Sequence, residues 1–197
     1  MSNNLPENDP ITRMATKKKQ TPFFQDSGRI PPQAVDFEEA VLGALMLDKD
    51  ALPVVIDILQ SDSFYSDGHK LIYKAVLRLL EKSQPIDMLT VTEELRKAGD
   101  LDTAGGAYYI VELTSRVASS ANIEYHARII LQKYIQRQLI RISTETIEDA
   151  DDDTKDVLNL LDRAEQNLFA IAQNNIRRES RKVDDVIQES LDHLQEM

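Results

Sequence analysis

The sequence predicts an all-α protein, and three observations carry that prediction. From Pro31 onward the apolar residues recur at three- and four-residue spacing and nowhere alternate, as in helices that bury one face. Only six of 197 residues are glycine, too few for long irregular loops. An apolar fraction of 42% is enough to fill a core. The expected organisation is a disordered tail over 1–30, a compact helical globular head over 31–118, a long antiparallel helical hairpin over 119–175, and a linker with a C-terminal amphipathic docking helix over 176–197.

Each element has its own warrant. The tail mixes Asn, Pro, Ser and Gln around Lys17-Lys18-Lys19, a composition that stays solvated, with Phe23-Phe24 as its apolar feature. Pro31-Pro32 favours a helix start just beyond, and Phe37, Val41, Ala44 and Leu45 form its stripe. A second short helix holds Val54, Val55, Ile58 and Leu59. Asp67 is placed to cap a third, with the stripe Ile72, Ala75, Val76, Leu79 and Leu80. Thr90-Val91-Thr92-Glu93 reads as the capping box of a fourth, which Gly99 ends. Gly105-Gly106 precedes a fifth with Tyr109, Ile110 and Leu113.

The second half differs in scale. A helix from about Asn122 to Ala150 would run roughly 40 Å at 1.5 Å per residue. It carries two stripes: Ile123, Ala127, Ile130 and Tyr134, and Leu131, Ile135, Leu139 and Ile142. Two stripes imply two packing surfaces. After the acidic cluster Glu148–Asp153, Asp153 or Thr154 can cap a helix to about Asn174. Its residues Val157, Leu161, Ala164, Leu168 and Ile171 are spaced as the seam of an antiparallel hairpin, which Tyr134 and Arg137 on the first arm would face. Beyond a polar linker, Val183, Ile187, Leu191 and Leu194 make a last amphipathic stripe. A helix this short is marginal alone, so it is expected to dock, with Ile187 and Leu191 entering a partner groove.

Composition narrows the chemistry. The absence of cysteine excludes disulfides, zinc knuckles and thiol nucleophiles and permits a reducing compartment. No apolar run approaches the roughly 20 residues needed to span a bilayer, and residues 1–25 lack the apolar middle of a signal peptide. The expectation is a cytoplasmic protein with no membrane association. A net charge of −11 repels a phosphate backbone and weighs against a generic nucleic-acid binder.

No constellation for catalysis, cofactor binding or metal binding emerges. The phosphate-loop pattern is absent, since Gly105-Gly106 runs into Ala107-Tyr108-Tyr109 without a lysine. Asp149, Asp151 and Asp153 begin like a calcium loop, but Thr154 replaces the turn glycine and Leu160 the bidentate glutamate. These carboxylates read as solvated groups near a helix start. His69, His126 and His193 fall on different helices and read as structural or surface groups. Glu38-Glu39 and Glu93-Glu94 are adjacent, so each pair diverges on its helix, which suits capping and solvation better than a catalytic dyad. No serine sits in a nucleophile-elbow pattern.

Seven short pieces then occur in a telling order: Pro31-Pro32-Gln33; Glu39-Ala40-Val41-Leu42-Gly43-Ala44; Phe64-Tyr65 with His69-Lys70-Leu71-Ile72-Tyr73; Pro85-Ile86-Asp87 with Thr90-Val91; Gly105-Gly106 with Tyr108-Tyr109; Ala121-Asn122-Ile123 with Tyr125; and Ala164-Glu165-Gln166-Asn167-Leu168-Phe169. Together they make residues 30–197 resemble the N-terminal domain and linker helix of the bacterial replicative DNA helicase family of DnaB type. The resemblance implies a helical head, a hairpin that pairs two heads, and three such pairs forming a collar on a hexameric ring. It also implies several partners: a second copy of the chain, the C-terminal domain of primase, a helicase loader, and single-stranded DNA through the assembled ring. The linker helix would pack on a neighbouring subunit. ATP and magnesium, with the hydrolysis and unwinding they drive, are expected of an ATPase domain following Met197, not of this chain.

The expected function is therefore helicase assembly and primase recruitment. Two alternatives stand beside it: a small helical nucleic-acid-binding regulator, and a helical hydrolase using carboxylates and a metal. The candidate self-pairing contact is the stripe Leu131, Ile135, Leu139 and Ile142, with packing inside the hairpin or onto the head as its competing assignment. The candidate docking residues are Val183, Ile187, Leu191 and Leu194.

Overall fold

The computed structural model describes residues 30–117 and 120–173, and these residues form seven α-helices and no strand. The helices are α1 (Val35–Leu47), α2 (Ala51–Ile58), α3 (Asp67–Glu81), α4 (Met88–Ala98), α5 (Gly106–Ser115), α6 (Ile123–Ala150) and α7 (157–173). A single 3-10 turn, Ser61–Ser63, joins α2 to α3. The tail at 1–29 and the expected docking residues Val183, Ile187, Leu191 and Leu194 lie outside the described residues.

α1 is the centre of the head. Its buried face, Val41, Leu42, Ala44, Leu45 and Met46, packs against α5 and the first half of α6. The α1–α5 crossing is closed by Gly43. A Cβ there would lie 2.2 Å from the Leu113 carbonyl oxygen and 2.5 Å from Val117 Cγ2, so only glycine lets the backbones approach this far. α2 rests on α6, and α3 pairs with α4. Phe64 and Tyr73 pack with ring centroids 5.0 Å apart, and the Tyr73 hydroxyl donates to the Leu59 carbonyl at 3.2 Å. Ile123, Ala127 and Ile130 bring the first turns of α6 into this same core.

In the head, the helix starts depart from the sequence reading in two places. The residue preceding α3 is Ser66, and Asp67 lies inside the first turn, where its carboxylate accepts from Lys70 Nζ at 2.7 Å. The α4 capping box forms one turn earlier than expected. Asp87 accepts from the Leu89 and Thr90 amides at 2.9 Å, and Thr90 Oγ1 accepts from the Asp87 amide at 3.0 Å. Asp87 is the better acceptor, and it leaves Thr90 to play the return role assigned to Glu93, which instead pairs with Arg96. Gly99 ends α4 in the left-handed region at φ 77°, as expected of a helix C-terminal glycine. Leu80, expected in the α3 stripe, is exposed.

One member of each acidic pair is buried, where the sequence suggested solvation, while Glu93 is exposed as expected. Glu38 is 1% exposed and sits among three donors: the Tyr65 amide at 2.6 Å, the Ser66 amide at 3.4 Å, and His69 Nδ1 at 2.7 Å. His69, itself buried, reaches the Tyr109 hydroxyl through Nε2 at 2.6 Å. On the other side of the head Glu94 is buried between Arg78 Nε at 3.0 Å and Lys82 Nζ at 2.9 Å. Its hydrogen bond from Lys82 holds the carboxyl below the usual carboxylate range. Each buried charge has thus been given its counter-charge or donors, which burial of a carboxylate requires. His126 is half-buried, edge-on to Phe37 at 5.2 Å.

Candidate functional site

α6 leaves the head at Arg137. The sequence aimed Arg137 and Tyr134 at the second arm, whereas both are turned to the head. The Arg137 guanidinium donates to the Pro32 carbonyl at 2.9 Å and the Ser63 carbonyl at 2.6 Å. It lies between the rings of Tyr65 and Tyr134, 5.7 and 5.8 Å from their centroids. Burial lowers its pKa below the usual guanidinium value, while the carboxylate of Glu38 pulls the other way. The Tyr134 hydroxyl accepts from Gln60 Nε2 at 3.0 Å. Carbonyls left open at a chain turn and a 3-10 turn need donors, and a planar cation with several N–H groups supplies two at once.

Past this clamp the helix continues to Ala150, turns, and returns as α7. Asp149 holds the turn by accepting from Lys155 and, at 2.9 Å, from Arg163 on the first turns of α7. The hydrogen bond from Lys155, then that from Arg163, lowers its carboxyl below the usual range. So Asp149 is an ion-pair anchor of the turn. The α7 cap is Asp156, whose carboxylate accepts from the Leu158 and Asn159 amides at 3.0 Å, and not Asp153 or Thr154. Thr154 belongs to the turn, where its amide and hydroxyl both bond Asp152.

The four residues predicted to pair copies do not share one outer face. Leu131 packs against the head core and Ile142 is only 4% exposed, while Ile135 is half-buried and Leu139 is 41% exposed. Helical geometry gives the reason. At about 100° per residue, eleven residues bring Ile142 to within roughly 20° of Leu131, whereas Leu139 lies about 80° away from it. The stripe drifts off the buried face and then returns to it.

α7 shows a similar offset. Its half-buried positions are Leu160, Ala164, Asn167 and Ile171, spaced four, three and four. Of the expected seam, Ala164 and Ile171 fall on this inner face. Val157, Leu161 and Leu168 are instead exposed, Leu161 by 63%. By the same rotation they stand roughly 50–90° round the helix from the inner stripe, while Leu158 and Phe169, also exposed, stand near its back. Sequence reasoning missed Leu158 and Phe169 as surface groups. The available signal was an excess of apolar residues over what one stripe can hold. A helix apolar nearly all round is ordinarily buried. With Leu139 and Ile147 on α6, the hairpin thus exposes seven large apolar side chains.

No group of three or more metal-ligating side chains occurs among the described residues, and no described helix is long and apolar enough to cross a membrane.

Comparison with known proteins agrees with this geometry. The DnaB-like helicase N-terminal domain family matches residues 30–132. The replicative DNA helicase DnaB of Rhodothermus marinus is 43% identical over 173 residues, 88% of this chain and 18% of that protein. The crystal structure of the N-terminal domain of DnaB helicase from Mycobacterium tuberculosis superposes with a TM-score of 0.68 at 34% identity, covering 71% of this chain and 99% of that one. A DnaB-like replicative helicase whose structure was described with its interactions with primase shares the fold, with a TM-score of 0.58 at 24% identity, over 75% of this chain and 35% of that one. The chain belongs to the DnaB-like helicase N-terminal domain family, and it spans under a fifth of the length of its Rhodothermus relative.

Proposed function

We propose that this chain is the assembly and partner-docking domain of a hexameric replicative DNA helicase. The observation that carries the reading is the apolar flank and back of α7, Val157, Leu158, Leu161, Leu168 and Phe169, left open on a hairpin whose inner face is already occupied. Fully burying each such side chain is worth about 1.5–3 kcal/mol. A second hairpin laid against this face would bury them in a four-helix arrangement. Leu139 and Ile147 extend the face onto α6, while Leu131 and Ile142 do not contribute to it. Pairs of heads joined in this way would form the trimer-of-dimers collar through which single-stranded DNA passes. Unwinding, with its ATP and magnesium, is the work of the ATPase domain of such a helicase. Residues of the C-terminal stripe, Val183, Ile187, Leu191 and Leu194, would dock on a neighbouring subunit.

Head and hairpin together offer the surface on which the C-terminal domain of primase, and separately a loader, would bind. A calorimetric titration of this chain with the C-terminal domain of primase tests the docking role. Saturable heat at a fixed ratio of the two is expected. No heat at concentrations up to about 100 μM, a free energy of roughly −5 kcal/mol, would remove primase recruitment from the account.

A further inference from the structure

α6 carries a third stripe, separate from its two covered sides. Tyr125, Gln132, Gln136, Leu139, Ser143 and Ile147 are all exposed, Tyr125 by 66% and Ile147 by 52%. At about 100° per residue they fall within roughly 40° of one line, and Ile129 and Ala150 fall there too. That line stands roughly 160° round the helix from Ile123, Ala127 and Ile130, which enter the head core, and about 100° from buried Ile142. It runs for roughly 40 Å, from beside the head to the hairpin turn.

The outer side of a surface helix is where charged residues ordinarily stand. α6 has charged residues throughout its length, yet all of them lie off this line. The nearest, Arg128 and Lys133, stand about 60° and 80° away on opposite sides of it.

The stripe is also complementary to itself when reversed. Turned about a two-fold axis between Arg137 and Gln138, Tyr125 of one copy meets Ala150 of a second, the largest side chain of the stripe against the smallest. Ile129 meets Ile147, Gln132 meets Ser143 and Gln136 meets Leu139, each within one residue. The amide of Gln132 and the hydroxyl of Ser143 are able to bond one another. A parallel arrangement would instead crowd Tyr125 on Tyr125 and leave Ala150 facing Ala150 across a gap, which close packing disfavours. Charge selects the same direction. The half of α6 nearer the head carries Arg128, Lys133 and Arg137 against Glu124, and the half nearer the turn carries Glu145, Glu148 and Asp149 against Arg141. Antiparallel copies set the basic half beside the acidic half, whereas parallel copies set like beside like.

We propose that this stripe docks on the same stripe of a second copy, laid antiparallel, so that each hairpin turn reaches the other copy's α6 beside its head. This direction rests on the self-pairing put forward above, and the α7 face alone does not supply it. The contact is isologous, so each pair of residues occurs twice. Leu139 and Ile147 belong to both surfaces, and one second copy covers them together.

The chain has no cysteine, so thiols can be placed singly for a cross-linking test. Tyr125→Cys chains are mixed with Ala150→Cys chains bearing a tag of different mass and are oxidised mildly. The expected product is the mixed disulfide dimer, in excess over either like-with-like dimer. Like-with-like dimers in excess would show parallel pairing and overturn the antiparallel stripe. No disulfide product from chains that light scattering shows to be paired would also overturn it, and would leave the pairing to the α7 face. A single-chain mass for the unaltered protein would remove the self-pairing and the stripe contact together. Gln132→Glu with Gln136→Glu provides a second readout at two exposed positions. It should raise the dimer dissociation constant about tenfold or more, since it brings unpaired charge into the contact, while the helical circular dichroism is kept. An unchanged constant would mean that the stripe stays in solvent.

Discussion

The head and the hairpin dispose of their difficult side chains in opposite ways. In the head two carboxylates are enclosed and matched: Glu38 with His69 and two amides, Glu94 with Arg78 and Lys82. In the hairpin the apolar groups stand in solvent, Phe169 by 62%. The comparison teaches that the head closes its buried carboxylates with donors from its own helices, while the hairpin gathers exposed apolar groups along one short helix.

The sharpest way to break this contrast is to attack the packing of the head. Gly43→Val places carbon where the Leu113 carbonyl and Val117 already lie. It should destabilise the fold by about 3 kcal/mol or more, read as a fall in the urea midpoint. An unchanged midpoint would mean that the α1–α5 crossing is not close-packed. Arg137→Met comes next. It strips the Pro32 and Ser63 carbonyls of their donor and should cost about 2 kcal/mol. Faster amide exchange at Ser61–Ser63 and in the middle of α6 should accompany the loss. Exchange at those sites equal to that of the unaltered chain would show that the clamp is not what joins arm to head.

In the hairpin the same kind of change should hardly register. The double substitution Leu161→Glu with Leu168→Glu should move the stability of the single chain by no more than about 0.5 kcal/mol, while abolishing self-association. Loss of helical circular dichroism would instead place both residues in the chain's own core. The smallest effect is expected at the turn. The Asp149 carboxyl, held below its ordinary value by Lys155 and Arg163, contributes above its unfolded pKa of about 3.9 and is lost as pH falls through the folded value. Asp149→Asn should therefore speed amide exchange in the α6–α7 turn at pH 6. Its difference from the unaltered chain should vanish in strong acid.

The contrast also marks what the sequence could disclose. Helix positions followed from periodicity and from Gly99 and Gly105-Gly106, because those signals are local. The burial of Glu38 did not follow, since adjacent glutamates look solvated until His69, 31 residues on, is folded against one of them. Arg137 was aimed at the wrong partner for the same reason: its acceptors, at Pro32 and Ser63, are backbone atoms without a sequence signature. The two stripe errors have another origin. Periodicity locates apolar residues on a helix but does not say which of two adjacent faces its own chain will cover. Leu131 and Ile142 returned to the buried side, and Val157, Leu161 and Leu168 rotated out of the seam. The family resemblance reached the fold correctly and contributed nothing to that choice.

The central claim is that the open face of α7 pairs copies of the chain, and its most direct test is the solution mass by light scattering over a wide concentration range. The account predicts a mass of two chains or a higher even multiple, reduced to one chain by Leu161→Glu with Leu168→Glu while the helical signal is kept. A single-chain mass for the unaltered protein at every concentration would contradict it.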